Sequence, residues 1–240
     1  PTATASWSDY DNDGHLDLYI GNESSEALRA PGQLFHSNGD GTFTDLAKKA
    51  GVQNYRYAKA VIWGDYDGDR WPDLYVSNYK GGNRLYRNNG DGTFTTMASQ
   101  LKVDHPEVSF PAWFWDINND GLLDLYVSSY IADIGVLAAD ARGLSVAPEA
   151  LPQLYLGTET GFFEEVARQY NLVHPTSPMG SNFGDLDNDG YLDFYLGTGN
   201  PDLWNVMPGM MYRNKSGKYF AEVSYAGGFA NIQKGHGVTF

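Results

Sequence analysis

The chain contains no cysteine. Disulfide stapling and thiolate zinc sites are therefore excluded, and stability must come from packing or from oxygen-ligated ions. No apolar run approaches the ~20 residues that a membrane-spanning helix needs. Basic residues are scarce: 16 Lys and Arg stand against 30 Asp and Glu, for a formal net charge of −14. Without a basic patch to neutralise phosphates, the sequence argues against nucleic-acid binding. There is no G-x-S-x-G, P-loop or H-E-x-x-H. The five histidines (His15, His36, His105, His174 and His236) show no ligand spacing and are expected at surface or turn positions. No signal peptide is visible in Pro1–Trp7, which is compatible with a leader already removed. On these grounds no enzyme is expected.

What the chain does have is apolar and turn-forming. Over 240 residues, hydrophobic content is 42% and aromatic content 15%, enough for a sizeable core, while a charged content of 19% argues against disorder. The bias towards aromatics, Gly and Asn/Asp favours strands and tight turns over helices.

A nonamer, D-x-[DN]-x-D-x-x-x-D, occurs four times: Asp9–Asp17, Asp65–Asp73, Asp116–Asp124 and Asp185–Asp193. These four stretches hold 15 of the 30 acidic residues, so the acidity is local. Alternate carboxylates packed this closely need a counter-charge. Hard oxygen donors at positions 1, 3, 5 and 9 suit Ca²⁺, which accepts about 6–8 oxygens in a flexible shell. Four bound Ca²⁺ would bring the net charge from −14 to −6. A set of solvated Asx-turns is the plain alternative, but four copies in register argue against it. An EF-hand is excluded because no Glu stands at position 12 and the flanks read as strands.

The repetition extends beyond the nonamer. An aromatic lies two residues before each first Asp: Trp7, Trp63, Phe114 and Phe183. Short apolar runs follow the last Asp, as in Leu18-Tyr-Ile20 and Leu74-Tyr-Val76. A third run comes after a loop: Gln33–His36, Arg84–Arg87, Gln153–Leu156 and Met210–Arg213. Turns then lead to a fourth run. Asn38-Gly-Asp-Gly-Thr-Phe43 and Asn89-Gly-Asp-Gly-Thr-Phe94 are strong hairpin signals because they tolerate positive φ. Four short strands recurring every 56, 51 and 69 residues predict β-propeller blades. The repeats are placed at 1–52, 53–104, 105–174 and 175–230, with an insertion between Ser129 and Pro152 in the third. Residues 231–240 read as the start of a further repeat, because Gly235–Phe240 matches Ala58–Trp63. The fold class is thus all-β, a propeller of four-stranded antiparallel blades or a fragment of a larger one.

The Asp loop, the Leu-Asp-Leu-Tyr type of strand and the Asn-Gly-Asp-Gly-Thr-Phe turn together resemble the FG-GAP/VCBS repeat family, found in integrin α-subunit heads and secreted bacterial proteins. Trp63-Gly-Asp-Tyr-Asp67 and Leu34–Gly39 are similar to the bacterial repeats found beside ASPIC/UnbV-type domains. The resemblance implies about four Ca²⁺ sites in the loops between first and second strands. The side-chain ligands would be Asp9, Asp11, Asp13 and Asp17; Asp65, Asp67, Asp69 and Asp73; Asp116, Asn118, Asp120 and Asp124; and Asp185, Asp187, Asp189 and Asp193. Position 7 would offer a backbone carbonyl, from His15, Trp71, Leu122 and Tyr191. The second loop departs from the pattern with Gly68 at position 4 and Arg70 at position 6, where positive φ would strain the arginine. The third loop, with one carboxylate fewer, is expected to bind most weakly.

The recurrent aromatics are read as blade packing. Asn22-Glu-Ser24 and Asn214-Lys-Ser216 are sequons of little weight. The expected function is a secreted or cell-surface, bacterial, calcium-stabilised scaffold that binds a protein or glycan partner in adhesion, by way of Ser129–Pro152 and Thr198–Gly209 with Trp204 and Met207. Two alternatives are a filament subunit assembled by strand addition at Gly235–Phe240, and part of a secreted polysaccharide- or lipid-acting enzyme.

Overall fold

The computed structural model describes residues 2–131, 133–199, 207–232, 235 and 237–239, with residues 2 and 3 as backbone only. Among the described residues, sixteen strands form four separate four-stranded antiparallel sheets, each taken up in chain order. The first contains β1 (Thr2–Ser8), β2 (Asp17–Asn22), β3 (Gln33–Ser37) and β4 (Phe43–Asp45). The second contains β5 (Ala58–Gly64), β6 (Asp73–Asn78), β7 (Arg84–Asn88) and β8 (Phe94–Thr96). The third has β9 (Ser109–Trp115), β10 (Asp124–Ser129), β11 (Gln153–Gly157) and β12 (Phe163–Glu165). The fourth has β13 (Pro178–Gly184), β14 (Asp193–Thr198), β15 (Met210–Asn214) and β16 (Phe220–Glu222).

These sheets are propeller blades. Their first strands, β1, β5, β9 and β13, are neighbours in that order. Thr4, Ala60, Pro111 and Ser181 from those strands line one cavity of about 260 Å³, which marks the shared axis. The turns from third to fourth strand close as the Asn-Gly-Asp-Gly chemistry predicts. Asn38 N–H donates to the Thr42 carbonyl and Asn89 N–H to that of Thr93, both at 3.0 Å, with Gly39, Gly41, Gly90 and Gly92 at positive φ.

The core lies between blades, because each sheet buries both faces only by stacking. Tyr19, Tyr75 and Tyr126 on the second strands are fully buried. The aromatic before each Asp loop packs on the preceding blade: Trp63 on Tyr19, Phe114 on Tyr75 and Phe183 on Trp113. In blade one the equivalent Trp7 is 55% exposed, as are much of Leu16 and Phe43. At the other end, Val238 reaches Gly197 as Val61 reaches Gly21 at the boundary between blades one and two. Gly235 N–H donates to the Thr198 carbonyl and Asn182 Nδ2 to that of Val238. This segment follows the path of a further first strand, although residues 235 and 237–239 form no regular strand.

Helix enters where the strand-only reading did not place it. A short α1 (Ala47–Ala50) follows β4, and α2 (Ile134–Ala141) lies within the insertion, with Asp133 capping the Gly135 and Val136 amides. Trp204 lies outside the described residues. Both sequon asparagines are buried and engaged: Asn22 Nδ2 donates to the Pro31 carbonyl, and Asn214 Nδ2 to that of Ile117 at 2.9 Å. A glycan at either position would have no room.

Candidate metal centres

Each nonamer links the first strand of a blade to the second, and the four loops share one hydrogen-bond plan. The carboxylate at position 1 caps the loop: Asp9 accepts from the Asp13 and Gly14 amides at 3.0 and 2.9 Å. Asp65, Asp116 and Asp185 do the same at positions 5 and 6 of their loops. Position 5 accepts from the amide of position 7, as Asp13 does from His15 and Asp69 from Trp71. These contacts are Asx-turns nested within one loop, which is why Asp and Asn recur there. Position 4 has positive φ in all four loops: Asn12, Gly68, Asn119 and Asn188. Position 6 follows suit, with Gly14, Gly121 and Gly190, and with Arg70 at φ +72° as its position predicts.

Position 9 is different in kind. Asp17, Asp73, Asp124 and Asp193 open the second strands and are fully buried. Each takes two backbone amides, one from position 2 of its loop and one from the end of the third strand. For Asp73 these are Tyr66 N–H at 3.1 Å and Asn88 N–H at 2.8 Å. Asp17, Asp124 and Asp193 repeat the pair through Tyr10 and Ser37, Ile117 and Gly157, and Leu186 and Asn214. Two amides do not offset the loss of water. Burial pushes the Asp73 carboxyl up to about 8 and that of Asp124 to about 7, and it also raises Asp17 and Asp193. Desolvation, with neighbouring carboxylates adding to it, raises Asp11 and Asp67 at position 3 as well.

The carboxylates converge. Oxygens of Asp9, Asp11 and Asp13 lie within 4.8 Å of one another, as do those of Asp65, Asp67 and Asp73, and those of Asp185, Asp187 and Asp193. The Asp11 and Asp67 Oδ1 atoms are buried with no hydrogen-bond donor. Orphaned, converging, desolvated carboxylate oxygens are what a hard divalent cation satisfies, so the residues present fit Ca²⁺. In the third loop Asn118 replaces the position-3 acid and its Nδ2 donates to Asp120 at 2.9 Å. Neighbouring loops are also tied in two places: Asn12 Nδ2 donates to the Arg70 carbonyl and Asn119 Nδ2 to that of Gly190.

Three further residues stand at these loops, and the motif alone did not show them. His36 Nδ1 lies 3.2 Å from both Asp11 Oδ2 and Asp17 Oδ1, which corrects its expected place as a bystander on a turn. Arg87 Nε lies 2.9 Å from Asp67 Oδ2, and Arg213 pairs with Asp187. All three close the third run of their blade; the signal was their shared position in Gln33–His36, Arg84–Arg87 and Met210–Arg213.

Blades stacked about an axis, each with a carboxylate-lined loop between its first two strands, define an Asp-loop β-propeller. Residues 9–76 and 65–127 match the family model described as FG-GAP-like repeat, so the chain carries repeats of that kind. The fourth loop, outside the matched stretches, repeats the same geometry. The chain is also similar to cartilage acidic protein 1: 29% identical over 196 residues to the protein of Xenopus tropicalis, and 27% over 191 residues to that of Homo sapiens. These alignments cover 78% and 76% of this chain but only 27% and 26% of the relatives, so the chain spans about a quarter of their length. The relatives are vertebrate proteins, which gives the expected bacterial source no support.

Proposed function

We propose that the chain is a calcium-stabilised propeller of an extracellular protein, acting as a binding scaffold and not as a catalyst. The observation that carries this reading is the loop repeated in four blades, with carboxylates converging in loops one, two and four and buried, unpartnered oxygens on Asp11 and Asp67. Calcium has a structural role here. It neutralises a charge cluster that otherwise opposes closure of each loop onto its blade. The relatives' name associates them with cartilage, which supports an extracellular setting. Free calcium there suits modules that bind at about 10⁻⁴–10⁻³ M.

Partner binding falls on the face away from the loops. The insertion there exposes Ile134 and Leu144 around α2, and exposed apolar side chains on a rigid scaffold are reasonable contact points for a protein or glycan. The terminal segment is already bonded to blade four through Gly235 and Val238, which gives strand addition between copies no support.

Calorimetric titration with Ca²⁺ tests the proposal. A stoichiometry near four sites per chain is expected, and no heat above dilution would refute it. Replacing residues 134–150 by a short Gly/Ser linker should leave that titration unchanged and abolish partner capture. Capture that persists would move the binding surface elsewhere.

A further inference from the structure

Across the four blades, the residue at position 3 of the Asp loop varies together with the penultimate residue of the third strand. Where position 3 is an acid, the penultimate residue of the third strand is cationic or protonatable: Asp11 with His36, Asp67 with Arg87, Asp187 with Arg213. Where position 3 is Asn118, the third strand supplies Leu156. The pairing is one of contact. Arg87 Nε meets Asp67 Oδ2 at 2.9 Å, and its Nη2 lies 3.8 Å from Asp69 Oδ2. In the third loop the neutral Asn118 amide instead donates to Asp120, and no cation is needed.

We propose that Arg87 and Arg213 are built-in counter-ions that set the affinity of their own loops for a divalent cation, and that this proposal rests on the calcium reading. Each guanidinium holds an oxygen of the position-3 carboxylate that an incoming ion would share. The ion must therefore share or displace a fixed positive charge a few ångströms away. With every carboxylate ionised and the exposed Arg70 side chain left out, the four carboxylates and the one paired guanidinium of loops two and four carry a net charge of −3. Loop three, with three carboxylates and Leu156, carries −3 as well. Carboxylate count alone ranks the third loop weakest; with the counter-ion included, loops two, three and four become equivalent. The same contacts hold the loops together before metal arrives, because each relieves part of the carboxylate repulsion.

The test uses terbium as the probe ion in the full chain, with calcium as competitor. Trp71 at position 7 of loop two sensitises the luminescence of an ion bound there. Arg87→Leu installs the side chain that blade three already uses, so the blade should tolerate it. It should tighten the tryptophan-sensitised site about tenfold, the equivalent of one charge-assisted contact removed. In EDTA the same variant should melt at a lower temperature than wild type. Arg213→Leu should behave likewise when read by calorimetry, and Leu156→Arg should weaken one site of the four. Unchanged affinities in all three variants, in a wild-type protein that binds calcium, would overturn the counter-ion role and leave the calcium reading intact. A wild-type chain that takes up neither ion would overturn both.

Discussion

Asp73 is fully buried and holds two backbone amides, yet its carboxyl titrates near 8. This combination has two consequences at the scale of the residue. The first concerns truncation. Asp73→Ala orphans the Tyr66 and Asn88 amides, each a loss of about 1–3 kcal/mol. In EDTA it should destabilise the chain by about 2–4 kcal/mol in urea unfolding, and Asp73→Asn, which keeps one acceptor, should cost less. The second concerns pH. The folded state holds the Asp73 and Asp124 protons well above the value of a free carboxyl near 3.8. As pH rises from about 4 to about 8, the unfolded chain loses those protons first, so metal-free stability should fall across that window. Urea midpoints in EDTA should therefore be higher at about pH 5 than at about pH 8, and saturating calcium should remove the difference. Arg70 offers a milder test. Its φ of +72° is glycine territory, and the bond its carbonyl accepts from Asn12 does not need the side chain. Arg70→Gly should stabilise by about 0.5–1 kcal/mol through relieved strain, read as a small rise in Tm.

At the scale of the strand and loop, blade stacking is carried by one aromatic per first strand. Trp63 lies against Tyr10, Tyr19 and Phe94, whereas its counterpart Trp7 is mostly exposed. Trp63→Ala should cost about 3–5 kcal/mol, the usual range for an aromatic removed from a core, and Trp7→Ala far less; paired denaturant curves measure the contrast. Strands and loops were also what the sequence revealed best, for a physical reason. The carboxylates of each loop fall within nine consecutive residues, and Asn-Gly-Asp-Gly fixes a hairpin through its own φ preferences, so both are local. His36, Arg87 and Arg213 were not legible, because they reach their loops only through the register of the third strand on the second. Leu18 faces Phe35, Leu74 faces Tyr86 and Phe194 faces Tyr212, which sets the next side chain along over the loop. The triplets at Asn22 and Asn214, given little weight as sequons, say nothing about burial either, and the fold buries both asparagines.

At the scale of the molecule, the four loops act as one charge problem distributed around a shared axis. Half of the acidic residues sit in them, and the blades between which they lie share continuous cores, such as that of Tyr66, Tyr75, Leu125 and Tyr155 across blades two and three. Opening one loop therefore loosens the packing of its neighbours. Calcium binding to the native state adds about 2.7 kcal/mol per site at a hundredfold excess over Kd. Four sites at about 2–4 °C per kcal/mol for a chain of this size should raise Tm by roughly 20 °C or more. Thermal unfolding in EDTA and in millimolar calcium measures that shift directly. The account predicts a large, concentration-dependent rise with calcium. Superimposable melts, with no metal retained after dialysis, would contradict it.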